Sequence, residues 1–168
     1  MRHRLEPLTA DHDLDAFDSG KPPLDEWLRR HARNAAGQGT RTYVLIHTQT
    51  NAVGGYFAIA PHLLAREEAP RRIGRGAPAR IPAILLAKLA LDQALHGRGL
   101  GSELLVHALT TIINAARTAG GRLIVVDAID DHAAAFYRAH DFQPAPSDPQ
   151  RLVMKLSTAA RALGLPWP

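Results

Sequence analysis

Residues 86–105 read LAKLALDQALHGRGLGSELL, an apolar run that leads into glycines at 97, 99 and 101 and then into a leucine-rich pattern. The run from Ile84 to Leu91 carries a single charged side chain, Lys88, and reads as a central strand buried on both faces. After it, Leu100, Leu104, Leu105, Ala108, Leu109, Ile112, Ile113 and Ala116 recur at helical spacing, and Gly120 and Gly121 close the pattern. Glycines at a strand-to-helix junction let the backbone approach a ligand, while the first helical turn offers unpaired N–H groups at the positive end of its dipole. The segment is therefore either a cradle for phosphate or pyrophosphate or a plain tight turn. A Walker loop would place Lys and Ser/Thr after the glycines, and a dinucleotide fingerprint would space the third glycine one residue further; neither fits.

Outward from this segment the chain alternates strands and helices. Upstream, residues 4–9 read as an edge strand and Asp11 to Phe17 as a turn of helix. Leu24, Trp27, Leu28, His31, Ala32 and Ala35 predict one amphipathic helix from Leu24 to Ala36, preceded by prolines and capped by Gly37. Arg41 to His47 and Ala52 to Ala60 predict an antiparallel hairpin across the turn TQTN. Residues 61–82, with Pro61, Pro70, Pro78, Pro82 and five arginines, read as a loop without a regular element. Downstream, Leu123 to Ala128 is a second buried strand, Asp130 or Asp131 caps a helix through His140, and Leu152 to Leu156 forms a last strand before a tail. This order describes an α/β fold, a mixed sheet of about six to seven strands with about four flanking helices. One domain over residues 1–168, with its core at 4–156 and a tail at 157–168, matches the typical domain length of about 150 residues.

Composition narrows the function classes. A chain 46% hydrophobic and 21% charged is neither disordered nor collagen-like. No apolar run approaches the ~20 residues of a membrane span, and Arg2, Arg4 and Glu6 leave no apolar signal-peptide segment, so the expectation is a soluble, cytoplasmic protein. The absence of cysteine excludes disulfides, thiolate metal sites and a cysteine nucleophile. Nine histidines without paired ligand spacing give no metal site. The net charge is +4, carried by seventeen arginines against three lysines, which fits either a GC-rich codon bias or use of arginine as a bidentate phosphate ligand. The basic residues form two groups: Lys21, Arg29, Arg30, Arg33 and Arg41 around the first long helix, and Arg66, Arg71, Arg72, Arg75 and Arg80 in the segment 61–82. Scattered arginines of this kind suit either the phosphates and A-form shape of an RNA stem or a plainly solvated surface.

Two stretches together resemble the GNAT acetyltransferases. LAKLALDQALHGRGLGSELL is similar to the family's strand and Gln/Arg-x-x-Gly-x-Gly/Ala loop, and AAAFYRAHDF (residues 133–142) to its Ala-x-x-Phe-Tyr-x-x-x-Gly-Phe pattern. FDSGKPPLDEWLRRHARN (residues 17–34), RTYVLI and VGGYFAIAP further resemble the TacT-like toxins, which acetylate the amino acid carried on transfer RNA, so the likeness spans residues 5–156. The chain departs from the pattern at His96, where the family has Gln or Arg, and at Asp141, where it has Gly. A non-glycine residue at position 141 must carry any positive φ at some cost.

The resemblance implies a GNAT fold, acetyl-CoA as cosubstrate and no metal. It implies that Leu89, Ala90 and Leu91 offer backbone groups to pantetheine and thioester, that His96, Gly97, Arg98, Gly99, Gly101 and Ser102 hold the pyrophosphate, and that Ala133 and Phe136 belong to the cofactor side. Tyr137 becomes the general acid for the departing thiolate; without the motif it reads as a core aromatic. An α-amine titrates near 7.7 to 8.0, so a strong base is not required, although His62, His132 and His140 are available. The implied reaction is acetylation of the α-amine of aminoacyl-tRNA by a translation-blocking toxin. Its implied partners are a ribbon-helix-helix antitoxin and a second copy of the chain. The alternatives are an acetyltransferase for a small amine or a protein N-terminus, and a CoA-binding regulatory module without turnover.

Overall fold

The computed structural model describes residues 2–168. Seven strands hydrogen-bond in the order β1-β2-β3-β4-β5-β7-β6. These are β1 (His3–Pro7), β2 (Arg41–His47), β3 (Val53–Ala65), β4 (Arg80–Leu91), β5 (Leu123–Asp127), β6 (Gln143–Ala145) and β7 (Asp148–Lys155). The helices are α1 (Pro22–Arg30), α2 (Ala32–Ala35), α3 (Arg71–Gly74), α4 (Leu100–Ala119), α5 (Asp131–Ala139) and α6 (Leu156–Leu163). The β4–β5 pair is parallel, from Ala83↔Leu123 to Leu86↔Val126, whereas β1–β2, β2–β3, β5–β7 and β6–β7 are antiparallel. This is the expected mixed sheet. Contacts group the chain into two compact units, one formed up to Ala60 with Ala87–Ala108, the other by Pro61–Leu86 with Leu109–Pro168.

In the first unit, α1 lays Leu24 and Leu28 onto a core of Leu14, Phe17, Ala32, Val44, Ile46, Val53, Tyr56 and Ala90. The expected helix 24–36 is broken, because His31 leaves the helical region (φ −121°) and α2 adds only one turn. A 3-10 turn at Ala36–Gln38 follows, and Gly39, at φ +99°, closes it in place of Gly37. Asp11 to Phe17 is not a turn of helix. There Thr9 Oγ1 accepts from Asp11 N, Asp13 Oδ1 accepts from Asp15 N, and His12 Nδ1 accepts from Thr9 N. Such local side-chain bonds compete with the helical ladder.

The second unit corrects the expected loop at 61–82. β3 runs on through the exposed Pro61 to Ala65, α3 follows, and β4 begins at Arg80. The segment is ordered by Leu64, Ala69, Ile73, Ala77 and Ile81, which pack on Ala83, Leu123, Val125 and Val153. Arg66 seals it, donating its backbone N–H to Ala79 O (2.9 Å) and Nη1 to Ala77 O (2.8 Å). The expected tail is also corrected, since α6 buries Leu156, Ala159 and Ala160 and ends at Gly164 in the left-handed conformation. Burial on both faces holds for β5, while Ile84, Leu85, Ala87, Lys88 and Leu89 of β4 are only half-buried.

Asp25 is a buried carboxylate whose Oδ1 accepts from Ser19 Oγ (2.6 Å) and Ser19 N (3.0 Å). Asp25→Ala strands both donors in an apolar surrounding. It is expected to cost about 1–3 kcal/mol in urea unfolding, with Leu24 and Leu28 unchanged as core contacts.

Candidate functional site

At the end of β4 the chain turns through a short, heavily bonded loop. Asp92 N donates to Gly54 O (2.9 Å), Asp92 Oδ1 accepts from Ala94 N (2.9 Å), and His96 Nε2 donates to Leu91 O (2.8 Å). Gly97 and Gly99 follow at φ +79° and +74°, with nothing within 4 Å of an added Cβ. They are glycines because of backbone conformation and not for lack of room. Gly97, Arg98 and Gly99 are exposed, and Gly101 and Ser102 are half-buried in the first turn of α4, at the positive end of its dipole. The β4–β5 register ends at Leu86, which leaves Ala87–Leu91 outside that ladder, including Leu89, Ala90 and Leu91. Exposed positive-φ glycines, a helix start and strand backbone beyond its partner form a chemical match for a pyrophosphate and an amide-rich arm.

The second group of predicted residues lies on α5. Asp130, not Asp131, is its N-cap and accepts from Ala133 N (2.8 Å), so the Ala133 amide is used within the helix. Tyr137 is 5% exposed, its ring edge-to-face with Phe136 (5.3 Å) and Phe142 (5.6 Å). Burial pushes its phenol well above the ordinary tyrosine range, so the side chain stays protonated and neutral at physiological pH. Asp141 adopts φ +70° directly after α5, with its N–H on Arg138 O (3.0 Å). It thus takes the left-handed conformation that the family's glycine supplies freely.

The histidines divide by role. His140 is tied to Phe136 O through Nδ1 (2.8 Å), and His132 is exposed. His62 Nε2 is buried with no hydrogen-bond partner, and burial together with the positive Arg151 lowers its pKa. Arg151 forks onto Asp127 (2.7 and 2.9 Å) and reaches Glu68 (3.6 Å). Neither the Asp127–Arg151–Glu68 network nor the role of Asp92 was signalled by any motif.

Among the basic residues of the first unit, Arg29 donates to Phe17 O (3.0 Å), Arg33 to Thr9 O and His12 O (2.7 Å), and Arg41 to Ala36 O (3.0 Å). Arg30 pairs with Glu26, and Lys21 is half-buried. In the second unit Arg66, Arg71 and Arg75 line a cavity of about 470 Å³, while Arg72 lines a smaller one beside Asp141. Among the described residues no cluster of three metal-ligating side chains occurs, and no helix is long and apolar enough to cross a membrane.

No family model matches the chain. The tRNA-acetylating toxin of Mycobacterium tuberculosis is 39% identical to it over 153 residues, covering 90% of this chain and 91% of that protein. This chain belongs to the TacT-like, tRNA-acetylating toxins of the GNAT family. Its fold is that of KacT: a tyrosine-to-phenylalanine mutant of that protein superimposes with a TM-score of 0.89 at 23% identity, covering 96% of this chain and 99% of KacT. AtaT, solved in complex with acetyl-methionyl-tRNAfMet, superimposes at 0.86 with 27% identity, covering 96% and 99% of the two chains. A further AtaT structure, a tyrosine-to-phenylalanine mutant bound to acetyl-CoA and the C-terminus of its antitoxin AtaR, superimposes at 0.82 with 26% identity over 97% and 99%.

In this GNAT toxin the strain at Asp141 is testable. Asp141→Gly is expected to raise unfolding free energy by up to ~1 kcal/mol, the relief of the left-handed backbone less the added freedom of the unfolded glycine. Chemical denaturation of the two forms measures it.

Proposed function

We propose that this toxin transfers acetyl from acetyl-CoA to the α-amine of aminoacyl-tRNA and so withdraws charged tRNA from translation. The observation that carries this reading is the 39% identity, across nine-tenths of the chain, to a tRNA-acetylating toxin. The exposed glycine turn at the start of α4 supports the cosubstrate, and AtaT, a fold neighbour, was solved with both acetyl-CoA and acetylated methionyl-tRNA. The toxin acts in the cytoplasm, is held in check by a ribbon-helix-helix antitoxin and works as a homodimer.

Acetyl-CoA supplies an acetyl group activated as a thioester, and the uncharged α-amine displaces the thiolate. His96 fixes the end of β4 through Leu91 O, so that Gly97, Arg98, Gly99, Gly101 and Ser102 receive the pyrophosphate. Leu89, Ala90 and Leu91 offer backbone groups to the pantetheine arm. Phe136 and Ala133 form the wall of α5 on which Tyr137 is held. Tyr137 gives its phenolic proton to the leaving sulfur, and the proton lost by the amine passes to water, from which the phenol is restored. The α-amine, whose ordinary pKa near 7.7 to 8.0 is lowered further by the adjacent ester, is in part uncharged at neutral pH, so His62, His132 and His140 have no required part. Lys21, Arg29, Arg30, Arg33 and Arg41, with Arg71, Arg72 and Arg75, bind acceptor-stem phosphates. Arg29, Arg33 and Arg41 are braced for this by the carbonyls they already hold.

Acetyl-CoA is expected to raise the melting temperature of the wild type, and Gly99→Asp to abolish the rise, because the new side chain brings strain at φ +74° and a negative charge. A full shift in that variant would remove the glycine turn from the site. Tyr137→Phe keeps the ring packing and should leave acetyl-CoA affinity unchanged while turnover falls by about 10²- to 10⁴-fold. Near-normal turnover would mean another donor. Acetylation of charged tRNA should weaken steeply with rising salt, in contrast to acetylation of a free small amine, and replacement of Arg29, Arg30 and Arg33 should flatten that slope.

A further inference from the structure

The segment that leads into α1 and the segment that leads into the glycine turn are bonded to each other through Asp18, Asp92 and Gln93. Asp18 N donates to Asp92 Oδ2 (3.1 Å), and Gln93 N returns a bond to Asp18 O (2.9 Å). The Asp18 carboxylate takes the Gly20 N–H (2.9 Å) and a side-chain hydrogen bond from Gln93. On the far side, Asp92 Oδ1 holds Ala94 N and Asp92 N holds Gly54 O, so one residue joins β3, the α1 leader and the turn after β4.

The α1 leader is in turn rigidly attached to its helix. Arg29 clamps Phe17 O, Asp25 clamps Ser19, and Phe17 and Trp27 both pack on the Tyr56 ring, whose hydroxyl donates to Leu24 O (2.7 Å). A displacement of residues 92–96 therefore moves α1 as a body, since few rotatable links lie between them. We infer that Asp92 is a positioning residue, a latch through which occupancy of the glycine turn by CoA sets the pose of α1 and its arginines for the RNA acceptor. This inference rests on the proposed function and adds to it a coupling between the two substrates: the CoA-loaded protein binds the acceptor more tightly than the empty one.

Hydrogen exchange and binding on the full chain test this. In the wild type, saturating CoA is expected to slow exchange at the amides of Asp18, Leu24 and Asp25 by about fivefold or more, and to raise the affinity for uncharged tRNA by a similar factor. In Asp92→Asn, which keeps the shape but replaces one acceptor oxygen with a donor, both effects should disappear at a CoA concentration that saturates the variant. Gly20→Ala reaches the same contact from the other side, since its Cβ would lie 3.1 Å from Gln93 Cδ at φ +84°, and should give the same loss. Protection and tRNA coupling that persist in both variants would overturn the latch, as would wild type that binds CoA without protecting Asp18. Wild type that does not bind CoA would overturn the functional reading itself, and the latch with it, a result recognised separately by the missing thermal shift.

Discussion

Parallel strands cannot be joined by a hairpin, and the β4–β5 pair imposes that constraint on everything around it. The crossover must rise from the carboxyl end of β4 and return to the start of β5, and the twenty residues of α4 do so. The helix start, the positive end of its dipole, is thereby delivered to the end of the strand, and the tight geometry between them selects glycine at 97 and 99. The backbone geometry that the proposed CoA site uses follows from topology before any side chain is considered. The side chains then refine it, as His96 and Asp92 lock the turn to the strand it has just left.

Where hydropathy alternates or repeats with helical period, the sequence was legible. β2 occupies the residues its pattern assigns, and α4 carries the stripe read from Leu100 to Ala116. The segment 61–82 was not legible, because its buried Ala69, Ile73, Ala77 and Ile81 recur every four residues yet run from α3 through a turn into β4, among arginines and prolines that locally signal a loop. Asp11 to Phe17, read as a turn of helix, failed for another reason: Thr9 and Asp13 bind the backbone first.

The site shows the same division. The places of the glycine turn and of Tyr137 in the fold were readable because each belongs to a motif in which residue type and spacing are tied to backbone geometry. Asp92 and Asp18 were not, since they act across 74 positions through bonds to main chain, and main-chain partners leave no complementary residue in the sequence. The arginines were readable as charge but not as braces, for Arg33 and Arg41 spend guanidinium donors on carbonyls of neighbouring turns. A lysine gathers its three donors on one atom and lacks the planar fork by which Arg33 holds two carbonyls at once.

The strand order β5-β7-β6 has a bearing on the life of the nascent chain. β7 lies between its two neighbours, so β5 gains its antiparallel partner, and β6 any partner at all, only after residue 155 has been synthesised, and α6 caps that part of the core later still. Translation delivers only about 5–20 residues per second, which leaves a long interval in which the stretch bearing Tyr137 exists without its finished sheet. For an enzyme proposed to arrest ribosomes, late closure of this kind delays activity until the strands that complete its sheet have been made.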